Sequence, residues 1–535
     1  MAQEATASQQ KAINRLQAIA NALKGPDQVS HIAAEYGLPP AFVSKLKNAL
    51  FTDPQFPRSE PTISLWQEPP NPVVGHIQSP TLPREADYVV IGSGITGCSV
   101  TKTLLENHKL VNGQGQAPRI VVVEARGLVS GATGRNGGQL VSPVGQGYTA
   151  LVRRFGAENA DEMTKFSLLN IETLLKTIDG LDEDLQSQCE IRRLDKITVA
   201  LDQESNEAMM TSVDAFRAVH GAHRKMHSSL TAEELRETRN IHNASGAIEY
   251  QAGAVWPYRL ITGIFEQLLA QHHDRLSIET NTPVSNILHD TSASNYPYSI
   301  ETPRGTIRAK QVIHCTNGHA AHLLKPLIGH VYPFRNTMSV QKAGPNLENV
   351  GESRSWTGIA KNSLDIDTGM YREGLFYAQQ NAHTGDIWVG NEASSLWKTI
   401  SGDDTTVSAE AVETLINFLP TYFKEGWPEG ELPQLRAVWT GIQGHSSDGL
   451  PLVGKIPSNA SGRSGDGEWI AGVYNGYGMD KAWLTGEAVA RMVAGEDVPE
   501  WLPKCFLVSE KRIRERLTMD RAMAKWASIA QKGDW

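Results

Sequence analysis

The fold is decided by Asp87-Tyr-Val-Val-Ile-Gly92-Ser93-Gly94-Ile95-Thr96-Gly97, followed by Arg119-Ile-Val-Val-Val123 and closed by Glu124. The first apolar run reads as a short buried strand feeding a helix. Gly92 permits the tight turn, Gly94 lets the backbone approach a pyrophosphate, and Gly97 lets helix pack on strand. The phosphates would sit at the positive end of that helix. Glu124 then ends the second strand of a βαβ unit, where a carboxylate accepts ribose hydroxyls and repels a 2′-phosphate. FAD or NAD fits there and NADP does not. Ala125 and Arg126 complete this end of the expected site. The interval from Gly97 to Glu124 exceeds the roughly 20 residues usual for the motif; the polar insert Asn112-Gly-Gln-Gly-Gln-Ala-Pro118 accounts for the excess as a loop.

A chain of 535 residues calls for two or three domains. The pattern predicts an α/β protein. A doubly wound, Rossmann-like nucleotide-binding domain is assembled from discontinuous segments and joined to a substrate domain on a mixed or antiparallel sheet, with a helical N-terminal extension. The net charge of −9 argues against a nucleic-acid or anionic-membrane partner, because either needs a basic face. Cys98, Cys189, Cys315 and Cys505 lie in no metal-ligand spacing, so neither a metal site nor a disulfide framework is expected. No run approaches the roughly 18 apolar residues of a membrane span, and no targeting segment is seen. The expectation is a cytoplasmic protein of open oligomeric state.

Residues 1–51 read as a helical extension, with Ile13, Leu16, Ile19, Ala20 and Leu23 at helical spacing and a second stripe in Phe42, Val43, Leu46 and Leu50. Gly25-Pro26 and Pro39-Pro40 divide it. Such stripes are more often packed on the body than used as an oligomerisation arm. Residues 52–84 carry eight prolines and predict an extended linker over the surface, with Trp66 docked on the body. Segments 85–150, 245–330 and 437–500 are assigned to the nucleotide-binding domain, 151–244 and 331–436 to the substrate domain, and 501–535 to a C-terminal helical segment. The nucleotide-type signals return at Val284, at Lys310-Gln-Val-Ile-His-Cys-Thr316-Asn317-Gly318, and at Trp469-Ile-Ala-Gly-Val-Tyr474-Asn475-Gly476-Tyr477-Gly478-Met479.

Three further stretches give the chain a family resemblance. They are Ser130-Gly-Ala-Thr133-Gly134-Arg-Asn136-Gly137-Gly138-Gln139-Leu140, then Trp439-Thr-Gly-Ile-Gln443-Gly444-His445-Ser-Ser-Asp448-Gly449-Leu450-Pro451-Leu-Val-Gly454, then Gly472 to Met479 opening a helix. With the first motif they make the chain resemble the D-amino-acid-oxidase-like family of FAD-dependent oxidoreductases, in its glutamylputrescine-oxidase-like branch, over about residues 85–500. The resemblance implies FAD. It implies that the second motif wraps the pyrophosphate and passes beside the isoalloxazine, and that a C–N bond is oxidised by hydride transfer to flavin N5. The expected activity is that of an oxidase giving imine and hydrogen peroxide from a small-molecule amine. A dehydrogenase passing electrons to another acceptor, or a non-catalytic flavoprotein, is the alternative.

Departures from the family pattern bear on the substrate. Gln443 stands where the amino-acid oxidases carry an arginine that pairs with the substrate carboxylate, and an amide cannot supply that cationic fork. An amine or amide fits better, unless Arg259, Arg335 or Arg372 reaches in. No cysteine occurs from 316 through 504, and Arg135 and Asn136 stand where some relatives attach flavin through histidine, so non-covalent FAD is expected. The strand predicted at Gly385-Asp-Ile-Trp-Val-Gly390 lacks the lysine that one branch uses on oxygen. Catalytic candidates are Gln443, His445, Tyr258, Arg335 and Tyr371. Trp256, Tyr258, Tyr332, Phe334, Tyr371, Phe376, Tyr377 and Trp439 are the candidate aromatic walls.

Overall fold

The computed structural model describes residues 26–107, 117–292 and 295–532. The stripe from Ile13 to Leu23 and residues 112–116 of the polar insert lie outside them. Two sheets organise the chain. The first runs in the order Leu452–Lys455, Glu468–Gly472, Gly305–His314, Glu85–Ile91, Ile120–Val123, Leu276–Glu279. Every pairing along it is parallel except that of the Leu452–Lys455 edge. Val89, Val90, Val121 and Val122 are all buried, as residues of strands covered on both faces must be. Register sets Ile91 opposite both Val123 and His314, so the strand ends that carry Gly92, Glu124 and Cys315 open on one side.

The second sheet runs Leu435–Ser446, Val331–Gln341, Ile387–Asn391, Leu375–Gln380, Arg354–Ile359, Arg192–Ala200, Gly246–Ala254, Gln139–Leu140. It is mixed, with one parallel pair, Arg354–Ile359 on Arg192–Ala200. Three of its strands fall wholly or, for Leu435–Ser446, with all but the first two residues inside segments that the sequence assigned to the nucleotide-binding domain: Gln139–Leu140, Gly246–Ala254 and Leu435–Ser446 pair here. Sheet membership therefore changes within 85–150, 245–330 and 437–500, because each of these segments crosses from one layer to the other beside the cavity.

Helices Pro26–Tyr36 and Pro40–Leu50 are packed on the body, the second through the stripe the sequence predicts. Ile32, Phe42, Val43, Leu46 and Leu50 share one core with Tyr332, Phe334, Tyr371 and with Trp526 of the C-terminal helix Met519–Lys532. The proline-rich stretch does more than cross the surface. Trp66 is 3% exposed, stacks on Trp388 with centroids 5.0 Å apart, and meets Trp256 edge-on at 4.9 Å. Its Nε1 donates to the Asn136 carbonyl at 2.6 Å, while Ser64 Oγ and Gln67 Nε2 donate to the Gly134 carbonyl at 2.8 and 3.0 Å. The linker's side chains thus supply donors to the carbonyls of Gly134 and Asn136, since buried carbonyls must be satisfied.

Candidate active site

The turn after Glu85–Ile91 has the geometry its glycines predict. Gly92 has φ +105°, and a Cβ on it would meet the Cys315 carbonyl at 2.6 Å. A Cβ on Gly97 would fall well inside contact distance of the Gly92 carbonyl, which is how closely helix Ile95–Glu106 lies on the strand. Ser93 donates through its backbone N at 3.1 Å and its Oγ at 2.7 Å to Glu124 Oε2, and Ile95 N donates to Thr133 Oγ1 at 3.0 Å. The first two motifs are thereby joined at the helix N-terminus.

From this point a cavity of about 720 Å³ runs between the two sheets. Of the expected cofactor residues, Gly92, Ser93, Gly94, Ile95, Thr96, Glu124, Ala125, Arg126, Thr133, Asn136, Gly137, Gln139, Val284, Thr316, Asn317, Gly318, Gly444, Gly449, Asn475, Gly476, Tyr477, Gly478 and Met479 line it. Six others stand behind the lining. Gly97 packs helix on strand, the Gly134 carbonyl accepts from the linker, Gly138 holds Val255 N through its carbonyl at 2.8 Å, and Leu140 pairs with Gly253. Asp448 accepts from Arg512 Nε at 2.9 Å and from Leu450 N at 3.1 Å, so this carboxylate braces the third motif against the C-terminal segment. Arg126 lines the cavity with its guanidinium already engaged by Asp404 Oδ2 at 2.9 Å and the Ser130 carbonyl at 3.0 Å.

The far end of the cavity is a chamber walled by Phe334, Tyr371, Tyr377 and Trp526. Tyr258, Trp256, Tyr332, Phe376 and Trp439 are not on its lining. Tyr258 instead accepts Asn71 N on its hydroxyl at 3.1 Å, and Trp439 Nε1 donates to the Arg135 carbonyl at 2.9 Å. None of the three arginines considered from sequence lines the chamber. Arg259 lies on the Trp256 ring, Arg335 donates to Thr406 Oγ1 at 3.3 Å, and Arg372 is exposed.

Gln443 and His445 do line it, and they are linked. His445 Nε2 is 3.0 Å from Gln443 Oε1, and Lys525 Nζ is 3.2 Å from His445 Nδ1. Burial, then the neighbouring Lys525, holds the imidazole far below its ordinary pKa. A neutral ring with its proton on Nε2 satisfies both contacts, donating to the amide oxygen and accepting from the ammonium.

Sequence reading missed Lys196, Asn336, Glu373 and Lys525, all on the lining. Lys196 is 1% exposed, donates to Gln139 Oε1 at 2.7 Å, and is driven well below the ordinary lysine range by burial. Two of the four left a signal. Lys196 alternates with Leu194 and Thr198 on one buried strand face, and Lys525 sits in the apolar helix stripe of Ala522, Trp526 and Ile529. Among the described residues no group could hold a metal ion, and no helix is long and apolar enough to cross a membrane.

A Rossmann-like parallel sheet joined to a mixed sheet across one shared cavity is the architecture of a nucleotide-dependent oxidoreductase. Comparison with known proteins narrows this class. The chain belongs to the DAO family, described as FAD dependent oxidoreductase, which matches residues 87–492. It is 22% identical over 419 residues to gamma-glutamylputrescine oxidoreductase of Escherichia coli, covering 77% of this chain and 84% of that one. With the probable oxidoreductase OrdL of Haemophilus influenzae it shares 20% identity over 423 residues, at 77% and 84% coverage. Glycine oxidase from Geobacillus kaustophilus has the same fold, with a TM-score of 0.56 at 18% identity over 80% of this chain and 99% of that one.

Proposed function

We propose that the protein oxidises the C–N bond of an amine or amino-acid-derived substrate, with FAD held non-covalently along the cavity. The observation that supports this most is continuity: one cavity joins the Gly92–Gly94 turn and Glu124 to the chamber of Phe334, Tyr371, Tyr377 and Trp526. The residues present fit the cofactor. Thr316 Oγ1 is buried and has no partner among the described residues, although Thr316 lines the cavity, and a Cβ on Gly131 would meet nothing. Glu124 would hold the adenosine ribose, the Gly92–Gly94 turn with Thr133 the pyrophosphate, and Asn136, Gly137, Asn475 and Gly476 the ring system. Bound there, flavin supplies the two-electron acceptor that a C–N oxidation needs.

The chain's own part is to bind and orient the substrate and to exclude water. An apolar aromatic chamber favours the neutral amine over the ammonium by desolvation, and the neutral amine is the form that can be oxidised. Gln443 offers an amide in place of a cationic fork, while Arg154 and Lys525 are among the basic groups on the lining that a substrate carboxylate could meet. Two similar proteins, gamma-glutamylputrescine oxidoreductase and glycine oxidase, act on nitrogen-bearing substrates as named, which supports this reading.

Anaerobic titration of the yellow protein with primary amines, secondary amines and amino acids tests this. Bleaching of the flavin band by one of these classes is expected, and recovery on readmitting air distinguishes oxygen from another acceptor. Acid precipitation should release the flavin into solution. Protein that dithionite bleaches and no amine does would favour the non-catalytic alternative.

A further inference from the structure

Glu373 follows the strand Met370–Arg372 and lines the chamber. Its Oε2 accepts from Asn336 Nδ2 at 2.9 Å, and Asn336 Oδ1 accepts from the Tyr377 hydroxyl at 2.9 Å. The Tyr377 ring lies directly on Gly137, where an added Cβ would be 2.7 Å from it. Two hydrogen bonds thus tie Glu373 to a ring packed against the loop assigned to the cofactor. Asn336 donates to this carboxylate, and Lys525 is the basic group whose charge reaches it. A carboxylate that lines a chamber of aromatic rings is a place where an incoming cation can be received.

We propose that Glu373 receives the substrate's ammonium group and takes its proton. This rests on the amine-oxidising function proposed above. The substrate enters as an alkylammonium ion and donates N–H to Glu373 Oε1. One proton then passes from nitrogen to the carboxylate, leaving a neutral amine and a neutral carboxyl with no change in total charge and no electron moved. The amine lone pair is thereby freed before the C–N bond is oxidised.

The proton affinity of the group suits this step. Burial, together with the nearby Glu392 carboxylate, raises the Glu373 carboxyl to about 7, against smaller opposing effects of the Asn336 hydrogen bond, the Glu392 backbone and Lys525. A carboxyl poised near neutrality can be charged when an ammonium arrives and protonated once the pair has formed. The other titratable groups whose fields reach it are the hydroxyls of Tyr371, Tyr377 and Tyr477, each driven upward by burial and neutral at ordinary pH. Lys525 is driven down by burial and by Arg154, and its Nζ is engaged with His445.

The test is calorimetric binding of hexylamine and of hexan-1-ol to the FAD-loaded protein, with the flavin reduced beforehand so that no turnover occurs. At mildly alkaline pH the wild type should bind the amine about tenfold or more tightly than the alcohol. Glu373→Gln, which keeps the oxygen facing Asn336, should abolish that preference, and Glu373→Asp should keep most of it. Wild-type affinity for the amine should fall as pH drops through about 7, where the carboxyl protonates, with no such limb in Glu373→Gln. An equal preference in wild type and Glu373→Gln, or none in wild type, overturns the proposal. Failure of the amine-oxidising reading shows separately, as oxidised flavin that no amine bleaches.

Discussion

One continuous stretch, Gly92 to Gly97, builds the turn at the nucleotide end of the cavity, whereas Lys196, Asn336, Glu373, Gln443 and Lys525 reach the chamber from five separate segments. The first end works through backbone: a positive φ, a helix laid on a strand, and amides aimed at one place. The second works through side chains whose backbones lie in the mixed sheet, beside it and in the C-terminal helix. The two ends should therefore answer to substitution differently. Change at the nucleotide end costs fold and cofactor together, and change in the chamber alters what is bound while leaving both in place.

The largest effect is expected at Gly97. An alanine there drives its methyl into the Gly92 carbonyl, and the helix must move off the strand, at a cost of about 3 kcal/mol. Flavin content measured by absorbance should fall with the denaturant midpoint. A variant that keeps stoichiometric FAD at the wild-type midpoint would break the comparison at its stronger side.

A smaller effect is expected at Glu468, on the parallel sheet. Burial alone would raise this carboxyl, but hydrogen bonds from Arg463 and His314, with their charges, bring it down to about 2. A depressed carboxyl contributes stability above its unfolded pKa and loses it as pH falls through the folded value. The contribution should be present at pH 7 and vanish between about 4.5 and about 2. Glu468→Gln should lower stability by about 2 kcal/mol at neutral pH and little in acid. Urea midpoints across that pH range decide it, and an equal loss at both ends would show that packing, not charge, is responsible.

The smallest effect on stability belongs to Lys525→Met. A thioether of similar length replaces a buried ammonium, so the thermal midpoint should stay within what about 1 kcal/mol would produce. FAD content should be unchanged, while affinity for a carboxylate-bearing amine drops. Loss of flavin from this variant would mean that the two ends are not separable.

The same contrast governs what could be read from the chain. Glycine spacing, a strand's apolar run and a terminal carboxylate are local, so the parallel sheet and the position of Gly92–Gly97 and Glu124 were legible. The mixed sheet was legible as texture, since Ile191 to Ala200 reads as a strand and the stretch from 331 to 400 is rich in Tyr, Phe and Trp. Its membership was not, because Gln139–Leu140 and Gly246–Ala254 find partners far away in sequence. Chamber residues were the least legible. Glu373 and Asn336 look like ordinary polar residues until Val331–Gln341 and Met370–Arg372 are brought to one cavity. Tyr258 and Trp256, aromatic and near a motif, were drawn instead into the packing beneath Trp66.

The C-terminal helix that carries Lys525, Trp526 and Ile529 into the chamber has a consequence in time. A ribosome that has translated as far as Leu517 has already made every glycine and carboxylate of the nucleotide end and both sheets, but not this wall. Since domains begin to fold as they emerge, this wall joins the chamber after both sheets have been made. Closure is then the act of a helix delivered after both sheets, docking on the two helices from Pro26 to Leu50 that were synthesised before them.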